Sequence, residues 1–176
     1  MRVVNIHERR LASPPEQVGR LLDTLASDDD RLWPRTMWPA MRFDRPLGVG
    51  ADGGHGPVRY FVEDYQPGAC VRFRFRAPRG YNGSHWLEVL PDGQSGSLLR
   101  HTIDMQAEGP ALLTWPLAIR WLHDACLEDA LAQAQASLGL KPELRPWSAW
   151  VKLLRWVMAG GRATPQRSPT NTVLPA

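Results

Sequence analysis

The feature that most constrains this chain is a change of hydrophobic period near residue 109. From about residue 40 to 108, apolar residues fall in short runs of period two. From Pro110 to Leu138 they recur at helical spacing instead. The strand runs cover residues 41–47, 58–65, 69–76, 85–90 and 98–106, punctuated by turns such as Gln66-Pro67-Gly68 and Pro91-Asp92-Gly93. In Val71-Arg72-Phe73-Arg74-Phe75-Arg76 the apolar residues alternate strictly with arginines, which marks a strand with one wet face. Leu99, His101, Ile103 and Met105 alternate in the same way with Arg100, Thr102 and Asp104. Residues 3–11 add a first strand.

In the helical stretch Leu112, Trp115, Ile119, Leu122, Cys126, Leu127, Ala130 and Ala134 form one broad stripe, with Asp124, Glu128 and Gln135 opposite. Pro116 belongs to the first turn or kinks the helix, and Gly139 stops it. The expected fold class is α+β: a curved antiparallel sheet of about six strands around a long C-terminal helix. A sheet with one wet face must cover the other, and this helix is the only element large enough to do so. One helix cannot fill the concavity of such a sheet, so an apolar cavity is expected beside it.

Between the first and second strands, Ser13-Pro14-Pro15-Glu16 has the spacing of a capping box. Val18, Leu21, Leu22 and Leu25 then predict a short amphipathic helix. Asp28-Asp29-Asp30 reads as a solvated loop rather than a metal site. The expected organisation is a domain over 1–139, a linker and amphipathic helix over 140–158, and a disordered tail over 159–176, where Gly160-Gly161 and scattered Pro, Ser and Thr lie.

The 43% hydrophobic content excludes wholesale disorder, and the net charge is only +3 with a pI near 9.2. The positive excess is local: Lys141, Arg145, Lys152, Arg155, Arg162 and Arg167 face the single acid Glu143. Cys70 and Cys126 form no C-x-x-C, so neither a zinc site nor a disulfide framework is expected. The first residues carry charge where a signal core would be apolar, and no run reaches ~18 uncharged apolar residues. A reducing cytoplasm is the simplest expected location.

Inward-facing residues expected to line the cavity are Trp33, Trp38, Tyr60, Phe73, Phe75, Leu87, Ile103, Met105, Trp115, Ile119, Leu122 and Cys126. The two tryptophans could equally close the edge of the core. His85, His101 and His123 all point toward the same space, where they are candidate acid/base groups near neutral pH. The bland alternative is that each is a buried histidine satisfied by a nearby partner; no metal is expected.

Gly48-Val49-Gly50-Ala51-Asp52-Gly53 matches G-x-G-x-x-G, but a strand and not a helix follows it, so no dinucleotide and no other cofactor is implied. That segment reads as a flexible hairpin loop carrying His55, placed to act as a lid. The arginine stripe of residues 72–76 lacks aromatics on its own face, which argues against nucleic acid.

Several phrases resemble the START-like/Bet v 1-like (SRPBCC) superfamily, including bacterial polyketide cyclase/dehydrase-like proteins. They are Pro57-Val58-Arg59-Tyr60, then Tyr65-Gln66-Pro67-Gly68-Ala69-Cys70-Val71-Arg72-Phe73, His85-Trp86-Leu87-Glu88-Val89, Leu99-Arg100-His101-Thr102 and Trp121-Leu122-His123-Asp124-Ala125-Cys126-Leu127-Glu128. The resemblance covers residues 3–138. It implies a helix-grip fold with a hydrophobic pocket, in a family whose members bind lipids, sterols, polyketides or hormones. No catalytic motif of the superfamily matches, so none is carried over.

Three functions follow as expectations. The first is binding or carrying a hydrophobic small molecule, lipid or polyketide-like; the second is a cyclase or dehydratase using His85, His101 and His123. The third is peripheral membrane contact through residues 147–158, where Trp147, Trp150, Val151, Leu154, Val157 and Met158 form an apolar face opposite Lys152 and Arg155. Docking of that helix on Leu117 and Trp121 is the competing expectation, because a twelve-residue helix needs a surface to hold it.

Overall fold

The structure, a computed structural model, describes residues 1–162. The strands are β1 (Arg2–Leu11), β2 (Arg42–Phe43), β3 (Asp52–His55), β4 (Val58–Gln66), β5 (Cys70–Ala77), β6 (Tyr81–Asp92) and β7 (Gly96–Ala107). They pair antiparallel in one curved sheet in the order β1-β7-β6-β5-β4-β3-β2. Register shifts in β4 at Arg59/Tyr60 and Val62/Asp64 supply bulges that bend the sheet. The alternation in β5 does what its pattern demands. Val71 and Phe73 are fully buried, while Arg72 and Arg76 pair outside with Glu63 and Asp52.

The sheet has seven strands where about six were expected, because the glycine-rich segment is partly ordered as β3. Gly53 and Gly54 let β3 lie against Arg42 and Val58, whose carbonyls a Cβ would strike. β6 also begins earlier than its apolar run, since Tyr81 and Ser84 pair fully with β7.

The helices are α1 (Pro15–Leu22), α2 (Ala111–Thr114), α3 (Arg120–Ser137) and α4 (Ala149–Met158). The expected capping box does not form. Pro14 occupies the N-cap position of α1 without a side-chain bond, and the carbonyl of Ser13 instead accepts from Ser97 Oγ at 2.6 Å. Asp30 is not solvated either. Its buried carboxylate accepts the backbone N–H groups of Ala26, Leu32 and Trp33 and fixes the turn after α1.

Between α2 and α3, Trp115–Ile119 form one wide π-helical turn. Pro116 has no N–H to give, so the normal ladder breaks there and the wider turn absorbs it. Gly139 ends α3 at φ +72°. The stripe Trp115, Leu122, Cys126, Leu127, Ala130 and Ala134 is buried as expected, but Leu112 is exposed. Gln135 and Glu128, expected on the solvent side, lie instead against the inner face of β1. Arg9 there donates to Glu128 Oε2 at 2.8 Å and to Gln135 Oε1 at 3.3 Å.

α4 docks on α3 through a face rotated from the one its pattern suggests: Val151 is buried and Trp147 and Leu154 pack against the core as expected, but Arg155 takes an inner position while Trp150, Val157 and Met158 do not. Val151 and Arg155 are its buried residues. The Arg155 guanidinium lies 4.2 Å from the ring centres of both Trp38 and Trp147 and donates to the Met37 carbonyl at 2.6 Å. Two indoles, Trp38 and Trp147, donate to the same oxygen of buried Asp129 at 2.8 and 2.9 Å. A cation between aromatic faces outcompetes the aliphatic residues for the inner position, leaving Trp150, Val157 and Met158 exposed. Leu117 and Trp121 stay 60% and 45% exposed; Trp150 Nε1 donates to the Leu117 carbonyl, and Trp121 Nε1 donates to the Pro116 carbonyl. No helix among the described residues is long and apolar enough to cross a membrane. Of the tail expected to be disordered over 159–176, residues 159–162 instead close α4 with a hydrogen-bonded turn, Gly161 N donating to the Trp156 carbonyl at 2.9 Å, and residues 163–176 lie outside the described residues.

Candidate functional site

β5, β6 and β7 turn Phe73, Phe75, His85, Leu87, His101, Ile103 and Met105 to one face. The helical layer answers with Trp115, Ile119, Leu122, His123 and Cys126, and a cavity of about 310 Å³ lies between. Its wall is overwhelmingly apolar. Trp33 and Trp38 complete the lining, so of the residues expected to face this space Tyr60 alone does not. Tyr60 is fully buried one layer behind, packed against Phe73 and His85 with ring centres 5.0 and 4.7 Å away. The bulge beside it in β4 carries it off the wall.

The exposed lining residues Pro39, Gly56, Pro57 and Met158 mark the mouth. The segment read as a lid thus contributes its far end, the β3–β4 turn. Tyr81, Met158, Ala159 and Arg155 also line the cavity and were missed. Tyr81 precedes His85 by four residues on the same face of β6, a signal that a longer strand would have revealed. The α4 residues carried no such signal, because their place depends on how that helix docks.

All five histidines of the chain belong to one array. His55 lies 5.9 Å from Tyr60, Tyr60 lies 4.7 Å from His85, and His101 lies 5.4 Å from His85 and 5.0 Å from His123, which is 5.7 Å from His7, all between ring centres. His85 stacks against both Phe73 and Phe75. His85 Nδ1 and His101 Nε2 are 3.2 Å apart, a hydrogen bond in which either ring can donate. Two neutral imidazoles carry one proton each. Whichever ring donates, His85 Nε2 and His101 Nδ1 are left as one donor and one acceptor.

Burial pushes the pKa of both rings well down, and neighbouring histidines add to it, which keeps the pair neutral. His55 is lowered to about 4, first by burial and then by His123 and Arg59. Burial likewise lowers His123, against the pull of Asp124. Among the described residues, four buried ring nitrogens have no hydrogen-bond partner: His85 Nε2, His101 Nδ1 and both nitrogens of His123. Tyr60 Oη is a fifth such atom in the array. Native interiors leave few polar groups in that condition.

His7 is the exception within the array. Burial alone would lower its pKa, but hydrogen bonds to Asp124 and Glu128, both at 3.0 Å, outweigh that and raise it. His7 was not among the sequence candidates, although its place between Asn5 and Arg9 on one face of β1 was visible.

No protein-family model matches the chain, and no curated protein matches it by sequence. Solved structures do match. Norcoclaurine synthase from Thalictrum flavum, in complex with dopamine and hydroxybenzaldehyde, is similar at 14% identity and a TM-score of 0.61, over 81% of this chain and 90% of that one. A solution structure from Thermobifida fusca gives 15%, 0.59, 81% and 99%, and Ara h 8.0201 gives 12%, 0.56, 79% and 99%. The fold is Bet v 1-like. In the Bet v 1-like arrangement the long helix lies across a bent sheet, and the hollow described above occupies the space between them.

Proposed function

We propose that this protein binds a hydrophobic small molecule bearing one hydrogen-bonding group. The observation that carries the reading is the apolar cavity of about 310 Å³, a size within the range of small-molecule sites. Each Å² of apolar ligand surface removed from water contributes about 25 cal/mol, so affinities near micromolar, about −8 kcal/mol, need few polar contacts. The donor and acceptor left over by the His85–His101 pair supply the polar complement. A neighbouring structure that holds dopamine and hydroxybenzaldehyde is consistent with small-molecule binding in this fold.

The test is native mass spectrometry of gently purified protein, followed by competition between whatever co-purifies and a fluorescent fatty acid or naphthalene probe. Specific one-to-one displacement supports the reading. Failure of every apolar probe to bind, or binding unchanged by Leu122→Trp, which fills the cavity, removes it.

A second reading is acid/base conversion of a bound carbonyl compound, favoured by the donor and acceptor of the His85–His101 pair. When the bound compound takes a proton from the donating outer nitrogen and gives one to the accepting outer nitrogen, a proton moved along the shared hydrogen bond keeps both rings neutral and swaps those two roles. His101→Ala then reduces turnover of the co-purifying compound far more than its affinity; equal losses leave only the binding role.

The ligand's route follows from the exposed apolar residues beside the mouth. Leu113, Leu117, Trp121, Trp150, Trp156 and Met158 are all more than two-fifths exposed, and Met158 itself lines the cavity. Residues 109–123 and 144–162 contain no acid and carry Arg120, Arg145, Lys152, Arg155 and Arg162, of which Arg155 is buried and Arg145 pairs with Glu128. Tryptophans with cations and no acids suit an anionic lipid surface, so we assign loading of the cavity to contact with one. Flotation of the protein with anionic vesicles is expected, weakened by combining Lys152→Glu with Trp156→Ser. Absence of flotation, or flotation indifferent to that pair, dismisses the lipid contact while leaving ligand binding untouched.

A further inference from the structure

We propose that His7, His123 and Asp124 form a binding site for a divalent transition-metal ion of the zinc class. The site sits where β1 meets α3, on the far side of the histidine array from the cavity mouth. Its three ligand atoms come from a strand and a helix that the sheet order places side by side. They all lie within 4.8 Å of one another. His7 Nε2 is 3.0 Å from Asp124 Oδ1, and His123 Nδ1 is 3.6 Å from the same oxygen. Ligands about 2.0–2.1 Å from a tetrahedral zinc stand about 3.3 Å apart, so the two separations to Asp124 bracket the required spacing, while the two histidines lie within 4.8 Å of each other.

Two independent features support this assignment. The first is His123, whose ring nitrogens are both buried and without a hydrogen-bond partner. An ion pair between His7 and its carboxylates accounts for His7 and Asp124, yet leaves His123 Nε2 without a partner and His123 Nδ1 at 3.6 Å from Asp124 Oδ1, outside hydrogen-bonding distance; an ion accounts for all three residues. The second is the surrounding support. His7 Nδ1 bonds Glu128 Oε1 at 3.0 Å, which presents Nε2 to the site, the arrangement by which a carboxylate orients a metal-ligating histidine. Asn5 Nδ2 donates to Asp124 Oδ1 at 3.1 Å, while Arg120 lies 3.6 Å from the other oxygen and keeps it turned away. Glu128 is in turn held by Arg9 and Arg145, so it acts as a positioning residue rather than a ligand. The ion takes the place of the proton between His7 Nε2 and Asp124, leaving one coordination position for water or another oxygen donor.

The site stands independently of the ligand proposed for the cavity, and the experiment uses no organic ligand. Untagged full chain is titrated with Co²⁺, read by its visible absorption, and with Zn²⁺ by calorimetry. One equivalent is expected, with the intense absorption of four-coordinate cobalt. His123→Phe, which keeps the ring and removes its nitrogens, and Asp124→Asn are each expected to weaken binding at least 100-fold. Glu128→Gln is expected to weaken it 10- to 100-fold through loss of the oriented tautomer. His85→Phe, at a buried histidine outside the trio, is expected to change it less than 3-fold, and circular dichroism confirms that each variant is folded. Weak multi-site uptake, a six-coordinate aquo-like spectrum, or affinity indifferent to His123→Phe overturns the proposal. If His123→Phe fails to fold, the spectrum of the unaltered protein and the Glu128→Gln affinity decide alone.

Discussion

His7 and His101 stand directly opposite one another on β1 and β7, yet they live in different chemistry. Around His7, side chains from α3 meet the strand with paired charges: Asp124, Glu128 and Gln135 against His7 and Arg9. Around His101 the same helix supplies Leu122, His123 and Cys126 at the cavity wall, and His101 Nε2 hydrogen-bonds His85 while Nδ1 has no partner. One strand's width separates a seam of paired charges from a wall of neutral, partly orphaned rings. Residue type therefore says little about a buried histidine; the flank of the helix that faces it decides whether it holds a charge or stays neutral.

Glu128→Ala breaks the contrast most severely. It leaves Arg9, which is 6% exposed, and His7 without their shared carboxylate, and removal of one member of a buried ion pair typically costs about 3–5 kcal/mol. Urea unfolding checks this, and a loss under 1 kcal/mol means the seam is less sealed than its geometry implies.

On the wall, His101→Leu alone strands His85 Nδ1 and is expected to cost about 1–3 kcal/mol, whereas the double change His85→Leu/His101→Leu returns to near neutrality or better. The double-mutant cycle measures the coupling directly; additive losses mean the two rings do not share a proton.

Acid sharpens the same difference. His55 and His85 have folded-state pKa values below their unfolded ones, so the unfolded chain binds more protons below about pH 6.5. Their contribution is fully present above that pH. As pH falls it is lost at about 1.4 kcal/mol per unit for each ring, down to about pH 4 in the case of His55. Between pH 6.5 and 5 the unfolding free energy of His85→Phe is expected to fall less steeply than that of the unaltered protein. Parallel profiles rule out a neutral buried His85. The smallest effect is expected at Lys152→Ala, an exposed residue of α4 whose loss changes stability by less than about 0.5 kcal/mol.

The wall was legible in the sequence and the seam was not. Leu99, His101, Ile103 and Met105 announce an inner strand face by alternation alone, and Val71 and Phe73 do so even more plainly. The helical stripe from Trp115 to Ala134 then fixes what covers them. The seam escaped because Asp124, Glu128 and Gln135 look like the solvent side of an amphipathic helix. Only the crossing of α3 over β1 turns that side inward, and a single-element pattern holds no information about crossings. β3 was hidden for a related reason: Asp52-Gly53-Gly54-His55 has no strand propensity, and its pairing comes from the close approach that glycine allows. Arg155 rotated the expected face of α4, with Val151 still inside, because a cation held between two indoles behaves as a core residue.

That clasp has a consequence for where the molecule can be cut. Trp147 and Arg155 reach back from beyond the compact body to seal Trp38 and Asp129 in place, and Met158 and Ala159 form part of the rim around the hollow. α4 is thus a door jamb rather than an appendage. A chain ending at Leu140 would present a wider entrance, a loosened tryptophan and an Asp129 missing one indole donor, so any ligand it caught would escape sooner.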